Sequence, residues 1–381
     1  MRVRTAAAIA AGVGGFLVTV PGLYLARRLH HEGFRPDRDR TPDPLDLQVT
    51  AISDQTVTLR KAAKSPVNAA DAPGEYLLQG ARGWGYAGRV LEANAIVAVR
   101  EFRRGEGELR AGDYARLDGF AHPGNPSEAH GLAFEDVTFE APLGRFDAWY
   151  VPGRTSTWAI LTHGKGADRR EGLRILPALV DSGFHCLLIT YRNDEGEPAA
   201  PAGFYSYGRD EWEDLDAAVS YALGHGANDV VLVGFSMGGA VTLSFMGKSE
   251  NARRVSALVL DAPMTHLEET VYHGARIAHL PTKFLAVSNR LASRIYRFRW
   301  SDFDYFETVR QLEVPVLLFH GDIDRTIPVD LSDSVAAMRP DLVKYVRVPG
   351  AGHVRAWNID PAGYLETVKN FVRTRRPVSP S

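Results

Sequence analysis

Residues Val230–Val241, VVLVGFSMGGAV, hold the pattern that decides the fold of this chain. An unbroken run of apolar, β-forming residues leads into Ser236, and the residues after it favour a helix, so the stretch predicts a strand, a sharp turn and a helix. A serine on such a turn lies in strained backbone and needs small neighbours, which Gly234, Gly238 and Gly239 provide. A phosphate-binding loop is excluded because no Gly-Lys-Ser/Thr follows. Ser236 is therefore either a nucleophile or only a small residue in a tight turn.

The surrounding chain, from residue 135 to about 375, alternates apolar runs with longer helical patterns. Several runs, such as WAIL at 158–161 and ALVL at 257–260, are apolar at successive positions. Strands of this kind are buried on both faces, as in a parallel sheet that is covered by helices. Residues 135–375 are therefore predicted to form a doubly wound α/β domain with a mostly parallel sheet. In such sheets ligands bind beyond the carboxyl ends of the strands.

One segment, residues 264–310, breaks this alternation with mostly helical patterns between two predicted strands. An insertion at this point lies over the carboxyl edge of the sheet, so we expect a cap over the ligand site. The alternative is a set of peripheral helices that pack on the core. The segment is rich in aromatic side chains, which favours an acyl or otherwise apolar substrate: Tyr296, Phe298, Trp300, Phe303, Tyr305 and Phe306.

A serine hydroxyl becomes a good nucleophile only beside a base, and the base needs a carboxylate that orients it. His353 follows the last predicted strand, in VPGAGHVRAW, and so lies at the same sheet edge as Ser236. Two candidate acids, Asp322 and Asp324, lie in LLFHGDIDRTIP after the preceding strand, and Asp261 after another strand is a third. The residues alone leave the choice among these carboxylates open.

These motifs, in the chain order serine, aspartate, histidine, resemble those of the α/β-hydrolase superfamily, in particular its esterase, lipase and serine-peptidase-like members. The resemblance covers residues 135–375, about two-thirds of the chain. It implies that Ser236 is the nucleophile, that His353 in the Gly-x-Gly-His pattern is the base, and that Asp324 is the acid.

The same resemblance implies two backbone N–H donors to a developing oxyanion. They belong to Lys165, in the loop LTHGKGADR, and to Met237, directly after the nucleophile. No metal and no organic cofactor is implied. His163 and His320 each precede a glycine at a strand end and are interpreted as structural, because no metal-ligand spacing such as His-Glu-x-x-His is present. The lone cysteine, Cys186, is interpreted as a buried small residue.

Residues 47–134 have a different texture, with short alternating runs broken by glycine and proline, which predicts a small β-rich module. The run Gly83–Gly88, GWGYAG, formally matches the Gly-x-Gly-x-x-Gly of dinucleotide sites. Such a site needs these glycines between a strand and a helix, whereas the residues that follow favour strand and turn. The glycines are therefore interpreted as turn residues without a cofactor.

Residues 5–26 contain no charged side chain and are long enough to cross a bilayer at about 1.5 Å per residue. Arginine pairs flank the segment on both sides. We expect a retained single-pass anchor in a membrane whose side is left open. A cleaved signal peptide, which would give a secreted protein, and a buried core helix are the alternatives. Residues 30–46 are charged and proline-rich, which is typical of a linker.

The 381 residues are 45% hydrophobic and 24% charged with a formal net charge of −2, values ordinary for a globular protein. No basic stripe indicates a nucleic-acid partner. The sequence predicts a membrane-tethered serine hydrolase that cleaves a carboxylic ester, thioester or amide of a small-molecule or lipid-like acyl substrate. A serine peptidase or an acyltransferase would use the same residues, and a non-catalytic binding module on this fold is the third alternative.

Overall fold

The computed structural model describes residues 23, 24, 27, 29–36, 43–61, 70–280 and 285–374 of the chain. The predicted anchor, residues 5–26, lies outside these ranges except for Leu23 and Tyr24. No helix within the described ranges is long and apolar enough to cross a membrane.

In its described residues, the β-rich module contains six antiparallel strands: β1 Leu47–Ile52, β2 Thr56–Arg60, β3 Tyr76–Gly80, β4 Gly83–Ala93, β5 Val97–Gly107 and β6 Tyr114–Asp118. Side chains alternate across each strand, so Leu47 and Val49 of β1 both point inward and are fully buried. The strands close into a barrel in the order β1-β2-β5-β4-β3-β6, because β1 pairs with β6 and Leu47 lies opposite Ala115. Closure gives each of these described strands a partner on both sides, which protects the sheet edges from pairing with another chain.

The Gly83–Gly88 run lies inside β4, so the interpretation of its glycines as turn residues is wrong. Gly85 instead makes room for an aromatic ring, as does Gly105 on the neighbouring strand. A Cβ on Gly85 would lie 2.4 Å from the ring of Phe102, and a Cβ on Gly105 in β5 would lie 2.2 Å from the ring of Trp84. The next element after β4 is another strand, so the pattern lacks the helix that a dinucleotide site requires.

The second domain is built on an eight-stranded sheet of β7 Glu135–Ala141, β8 Gly144–Val151, β9 Thr157–Thr162, β10 His185–Ile189, β11 Asp229–Phe235, β12 Val255–Asp261, β13 Val316–Gly321 and β14 Val343–Val348. Their spatial order is β14-β13-β12-β11-β9-β10-β8-β7. Strands β9 to β14 pair in parallel with one another, and β8 and β7 add an antiparallel edge. The mostly parallel α/β sheet predicted from the sequence is confirmed.

Helices cover both faces of this sheet, as the apolar strands require. Along β11, Val230 and Leu232 pack in one hydrophobic core, while Val231 and Val233 pack in the other. Burying each such side chain contributes about 1.5–3 kcal/mol, so the strand that leads to Ser236 is held firmly from both sides. The helices are α1 Pro126–His130, α2 Leu176–Asp181, α3 Trp212–Gly224, α4 Met237–Lys248, α5 Leu267–Ile277, α6 Leu285–Ile295, α7 Phe306–Gln311, α8 Val329–Met338, α9 Ala356–Ile359 and α10 Pro361–Val372, with a π-helical turn at Leu29–Phe34 and 3-10 turns at Arg169–Arg174, Glu250–Arg254 and Trp300–Phe303.

The insertion at residues 264–310 contains α5, α6, a 3-10 turn and α7 between β12 and β13, and it is called the cap below. It adjoins both loops that carry the predicted nucleophile and acid. The N–H of Met264 donates to the carbonyl of Ser236 at 3.0 Å. From α5, the Nε2 of His273 lies 3.3 Å from the carbonyl oxygen of Asp324.

Part of the predicted linker, residues 30–46, packs on the cap. Phe34 is only 2% exposed, and its ring stacks on that of Phe298 with the centroids 5.3 Å apart. The ring of Tyr207 meets Phe34 edge-on at 5.4 Å, and the Tyr207 hydroxyl donates to the carbonyl of Gly33 at 2.5 Å. An aromatic ring gains far more from burial than the flanking charged residues do, so this point of the segment is fixed to the α/β domain.

The barrel packs against the segment that follows the predicted base, His353. The buried side-chain amide of Asn358 in α9 donates to the carbonyls of Glu75 at 2.6 Å and Gly119 at 3.1 Å. The N–H of Glu75 donates back to the carbonyl of Asn358 at 2.7 Å. Gly74 has a φ of +99°, and a Cβ there would lie 2.2 Å from the Asn358 carbonyl oxygen, so only glycine fits. The barrel is thereby fixed to the helix beside His353.

Candidate active site

Ser236 lies at the tip of the turn between β11 and α4. Its φ of +50° and ψ of −114° belong to a region that residues other than glycine rarely adopt. Three backbone hydrogen bonds of 3.0 Å hold it there: its N–H donates to the backbone carbonyl of Asp261, and its carbonyl accepts from the N–H groups of Gly239 and Met264. The strain is stabilised by the surrounding structure, as is common at functional sites.

The glycines around Ser236 are needed for close backbone approach. A Cβ on Gly238 would lie 2.1 Å from the carbonyl oxygen of Thr162, and a Cβ on Gly239 would lie 2.5 Å from the Cβ of Pro263. A Cβ on Gly234 would lie 2.7 Å from the carbonyl oxygen of Gly238. These contacts give a physical reason for the glycine pattern on which the sequence analysis depended.

The side chains of Ser236, His353 and Asp324 form one row of hydrogen bonds. His353 Nε2 lies 2.8 Å from Ser236 Oγ, and His353 Nδ1 lies 2.7 Å from Asp324 Oδ2. An ionised carboxylate only accepts, so Nδ1 carries the proton and Nε2 is left to accept from the serine hydroxyl. This is the tautomer that a general base for Ser236 requires.

The carboxylate of Asp324 is fully buried and fully hydrogen-bonded. Its Oδ1 accepts the N–H groups of Thr326 at 2.7 Å and Ile327 at 3.0 Å. Its Oδ2 faces His353 and also the Nε2 of His320 at 3.1 Å. Burial raises the pKa of Asp324, but the hydrogen bonds from His320 and His353 outweigh burial and hold that pKa well below its usual range. The group is therefore a carboxylate throughout the neutral pH range.

The two other candidate acids lie elsewhere. Asp322 Oδ1 accepts the N–H of Gly350 at 2.7 Å. Asp261 is 2% exposed, and its Oδ2 accepts the hydroxyl of Tyr364 at 3.2 Å. Within the described residues neither carboxylate contacts His353, so of the three only Asp324 is placed to orient the histidine.

Asp261 makes folding stability depend on pH. Burial raises its pKa from 3.8 to about 6, partly offset by Arg174. The folded state holds the proton more tightly than the unfolded state, so the stability contribution of this group is greatest below pH 4 and is lost as the pH rises to about 6. The free energy of unfolding of Asp261→Asn, measured relative to the wild type, should therefore rise by up to about 3 kcal/mol between pH 4 and pH 7. Urea unfolding at several pH values measures this, and a difference that does not vary with pH would contradict it.

The loop after β9 brings the first predicted oxyanion donor toward the nucleophile. A Cβ on Gly164 would lie 3.0 Å from the Cβ of Ser236. The N–H of Gly164 donates to Glu171 Oε2 at 2.7 Å and is therefore engaged. Lys165, the next residue, stays the candidate donor on this loop. Met237 follows Ser236 directly and opens α4, so its N–H belongs to the positive end of that helix.

His163 and His320, both interpreted as structural from the sequence, are buried beside the site. His163 Nε2 lies 2.8 Å from Asp194 Oδ2, and its Nδ1 lies 2.8 Å from the carbonyl of Gly164, so it supports the loop that carries Lys165. His320 Nδ1 lies 2.7 Å from the hydroxyl of Ser332. With its Nε2 on Asp324 Oδ2, His320 holds the same carboxylate oxygen that faces His353. Its position four residues before Asp324 was the only sequence signal for this contact.

Two buried charged residues, Arg174 and Glu171, also support the site, and neither was singled out from the sequence. Arg174 is 1% exposed, and its guanidinium donates to the carbonyl of Val354, next to His353, at 2.8 Å. It also contacts Asn358 Oδ1 at 3.3 Å and pairs with Glu171 at 3.4 Å. In sequence this arginine looks like part of an exposed, charged helix face, so no local signal indicated its burial.

In the part of the chain that the structure describes, no group of three or more histidine, cysteine, aspartate and glutamate side chains could hold a metal ion. Cys186 is fully buried in β10, and burial raises the pKa of its thiol. It is the buried small residue that the sequence predicted.

Curated proteins similar to this chain extend over most of the α/β domain. The uncharacterized protein Rv2307c of Mycobacterium tuberculosis is 26% identical over 249 residues, which cover 63% of this chain and 79% of that protein. The uncharacterized protein YfhR of Escherichia coli is 24% identical over 250 residues, covering 62% and 80%. Human protein ABHD12B is 28% identical over 201 residues, covering 50% and 52%.

A solved structure has the same fold. The esterase Pf2001 of Pyrococcus furiosus superposes with a TM-score of 0.54 at 17% identity, over 67% of this chain and 95% of that chain. The model of the alpha/beta hydrolase family matches residues 151–367, which is more than half of the 381 residues. On this match and this fold, the chain belongs to the alpha/beta hydrolase family.

Proposed function

We propose that this protein is a serine hydrolase that cleaves a carboxylic ester, thioester or amide through an acyl-enzyme intermediate. The observation that carries the proposal is the row of hydrogen bonds from Ser236 through His353 to Asp324, at 2.8 and 2.7 Å. A binding module would need neither the strained backbone at Ser236 nor a buried carboxylate aimed at a histidine. Membership in the alpha/beta hydrolase family supports the same reaction class.

In the first half-reaction, Ser236 Oγ attacks the substrate carbonyl carbon while its proton passes to His353 Nε2. Asp324 keeps the imidazole oriented and stabilises the imidazolium that forms. The N–H groups of Lys165 and Met237 donate to the new oxyanion, each worth about 3 kcal/mol. When the tetrahedral intermediate collapses, the bond to the leaving group breaks. The leaving group takes the proton from His353 and departs as an alcohol, thiol or amine.

In the second half-reaction, a water molecule gives a proton to His353 Nε2 and attacks the acyl carbon. The second tetrahedral intermediate expels Ser236 Oγ, which takes the proton back from His353, and the carboxylic acid leaves. Oxygen and sulfur leaving groups depart more easily than amines, so esters and thioesters are the first substrates to test.

We also propose that residues 5–26 anchor the enzyme in a membrane, because the segment is uncharged, long enough to span and flanked by arginines. An anchored hydrolase meets lipid-like esters at the membrane surface. The aromatic side chains of the cap do not add support for an apolar substrate, because Phe298, Phe303 and Tyr305 are at most 5% exposed and pack in the core. The preference for a lipid-like substrate therefore depends on the anchor.

The test is labelling of the detergent-solubilised full chain with a fluorophosphonate probe, in parallel with turnover of nitrophenyl esters from acetate to palmitate. The wild type should be labelled and Ser236→Ala should not. Ser244→Ala is the matched control, because Ser244 is a buried serine of the helix that follows Ser236 and is not part of the hydrogen-bonded row of Ser236, His353 and Asp324. It should be labelled like the wild type.

Folded wild type that neither labels nor turns over any ester would overturn the proposal and favour a non-catalytic binding module. Labelling with turnover of peptide amides alone would identify a peptidase. Transfer of the acyl group to an acceptor other than water would identify an acyltransferase.

A further inference from the structure

Phe34 fixes the chain to the cap shortly after the proposed anchor ends. From residue 26 to Phe34 the chain advances eight residues, which span at most about 29 Å when fully extended. The π-helical turn at Leu29–Phe34 makes the real span shorter. If residues 5–26 cross a bilayer, the surface of the cap around Phe298 must lie close to the headgroups.

The second long helix of the cap, α6, presents a row of exposed arginines. Arg290 and Arg294 are four residues apart and so share one face of the helix. Arg297 follows the end of the helix at a φ of +56°, a left-handed position usually occupied by glycine. The N–H of Phe298 donates to the carbonyl of Ser293 at 3.1 Å and closes the helix there. Arg290, Arg294 and Arg297 are called the arginine face.

The arginine face has no ion-pair partner among the described residues. Two carboxylates of the cap have other partners: Glu268 accepts from Asn289 at 3.0 Å, and Asp302 pairs with Arg299 at 3.0 Å. A cation in the last turn of α6 would complement the helix dipole. The arginine face extends from the middle of α6 to beyond its end, so the dipole does not account for all three arginines. Ile295, 49% exposed, adds an apolar side chain between the charges.

We propose that the arginine face binds the anionic headgroups of the bilayer that holds the chain, so that the cap lies on the membrane surface. The inference rests on the membrane anchor proposed above. Arginine suits phosphate because its planar fork donates two hydrogen bonds to one group. Exposed cations close to an anionic surface are each attracted to it, and the attraction is screened by salt. An exposed isoleucine beside them fits the boundary between headgroups and acyl chains.

The test places a fluorophore at the arginine face of the full-length protein. Cys186 is buried, so Ile295→Cys gives a single reactive thiol for an environment-sensitive label. The labelled protein is reconstituted into vesicles of phosphatidylcholine alone or with about 30 mol% phosphatidylglycerol, and quenching by doxyl lipid is measured. Ile96→Cys, at a 64% exposed position on the barrel, is the matched control. Carbonate extraction of the same vesicles tests the anchor independently.

Quenching at residue 295 should be at least about twofold stronger in the anionic vesicles and should fall to the neutral level in about 0.5 M salt. Arg290→Gln/Arg294→Gln/Arg297→Gln should remove the difference while esterase turnover of a soluble substrate is unchanged. The label at residue 96 should show no such difference. Protein that resists carbonate but shows no quenching at residue 295 would overturn the arginine face and leave the anchor standing. Protein extracted by carbonate would overturn the anchor, and quenching at residue 295 would then decide the arginine face alone.

Discussion

Asp324→Asn is expected to lower kcat for ester hydrolysis by about 10⁴-fold while the protein stays folded. The asparagine amide can donate to His353 Nδ1, which would move the ring proton to Nε2. A protonated Nε2 cannot accept from Ser236 Oγ, so the serine would lose its base. Because the cause is the tautomer, activity should recover partly at high pH, where hydroxide can replace the base. The pH–rate profile of the variant between pH 6 and 10 measures this.

Asp322→Asn is the matched control, since it makes the same change two residues away. Its oxygen can still accept the N–H of Gly350, so turnover should stay within about threefold of the wild type. If Asp322→Asn were as inactive as Asp324→Asn, the loss would reflect damage to the loop. If Asp324→Asn kept wild-type kcat, the assignment of the acid would be wrong.

Arg174→Met is expected to destabilise the protein by about 3–5 kcal/mol in free energy of unfolding. The change leaves the buried Glu171 without its cation and removes the donors to Val354 and Asn358. Because Glu171 also accepts the N–H of Gly164, we expect weaker activity in the protein that still folds. Urea unfolding followed by circular dichroism measures the stability, and kcat at a low temperature measures the activity.

Arg145→Met removes a different arginine–carboxylate pair, that with Glu140, in which both side chains are more than 70% exposed. Its unfolding midpoint should be that of the wild type, because solvent screens such pairs. Equal midpoints for the two variants would mean that the Arg174 contacts contribute nothing beyond an ordinary surface pair.

The sharp turn at Ser236 could be predicted from sequence because everything it requires is local. The strand, the glycines and the helix are consecutive, so the atoms that crowd around Ser236 are also its neighbours in the chain. The choice of acid was not local. Asp261 ends β12, and Asp322 and Asp324 follow β13 at the same sheet edge, so only the direction of each side chain separates them. The resemblance to a family selected Asp324, and the contact with His353 agrees with that selection.

Features that depend on contacts between residues far apart in the sequence were predicted poorly. The module was expected to be β-rich, but its closure depends on β1 meeting β6, which no short pattern encodes. The glycines of Gly83–Gly88 were taken for turn residues because the atoms that crowd them, such as the ring of Phe102 at Gly85, lie far along the chain on the neighbouring strand. Phe34 stands among charged residues and so resembled linker, although the aromatic site that receives it lies far along the chain.

If residues 5–26 hold the chain in a membrane as proposed, the burial of Phe34 also sets what a proteolytic release would produce. A cut before residue 29 would free a chain that keeps the phenylalanine in its site between Phe298 and Tyr207. A cut a few residues later, beyond the exposed Arg35, would remove it and leave a cavity, at a cost of roughly 3–5 kcal/mol. Both shed forms would contain every residue of the candidate active site. They would differ in folding stability, and therefore in how long each form stays folded.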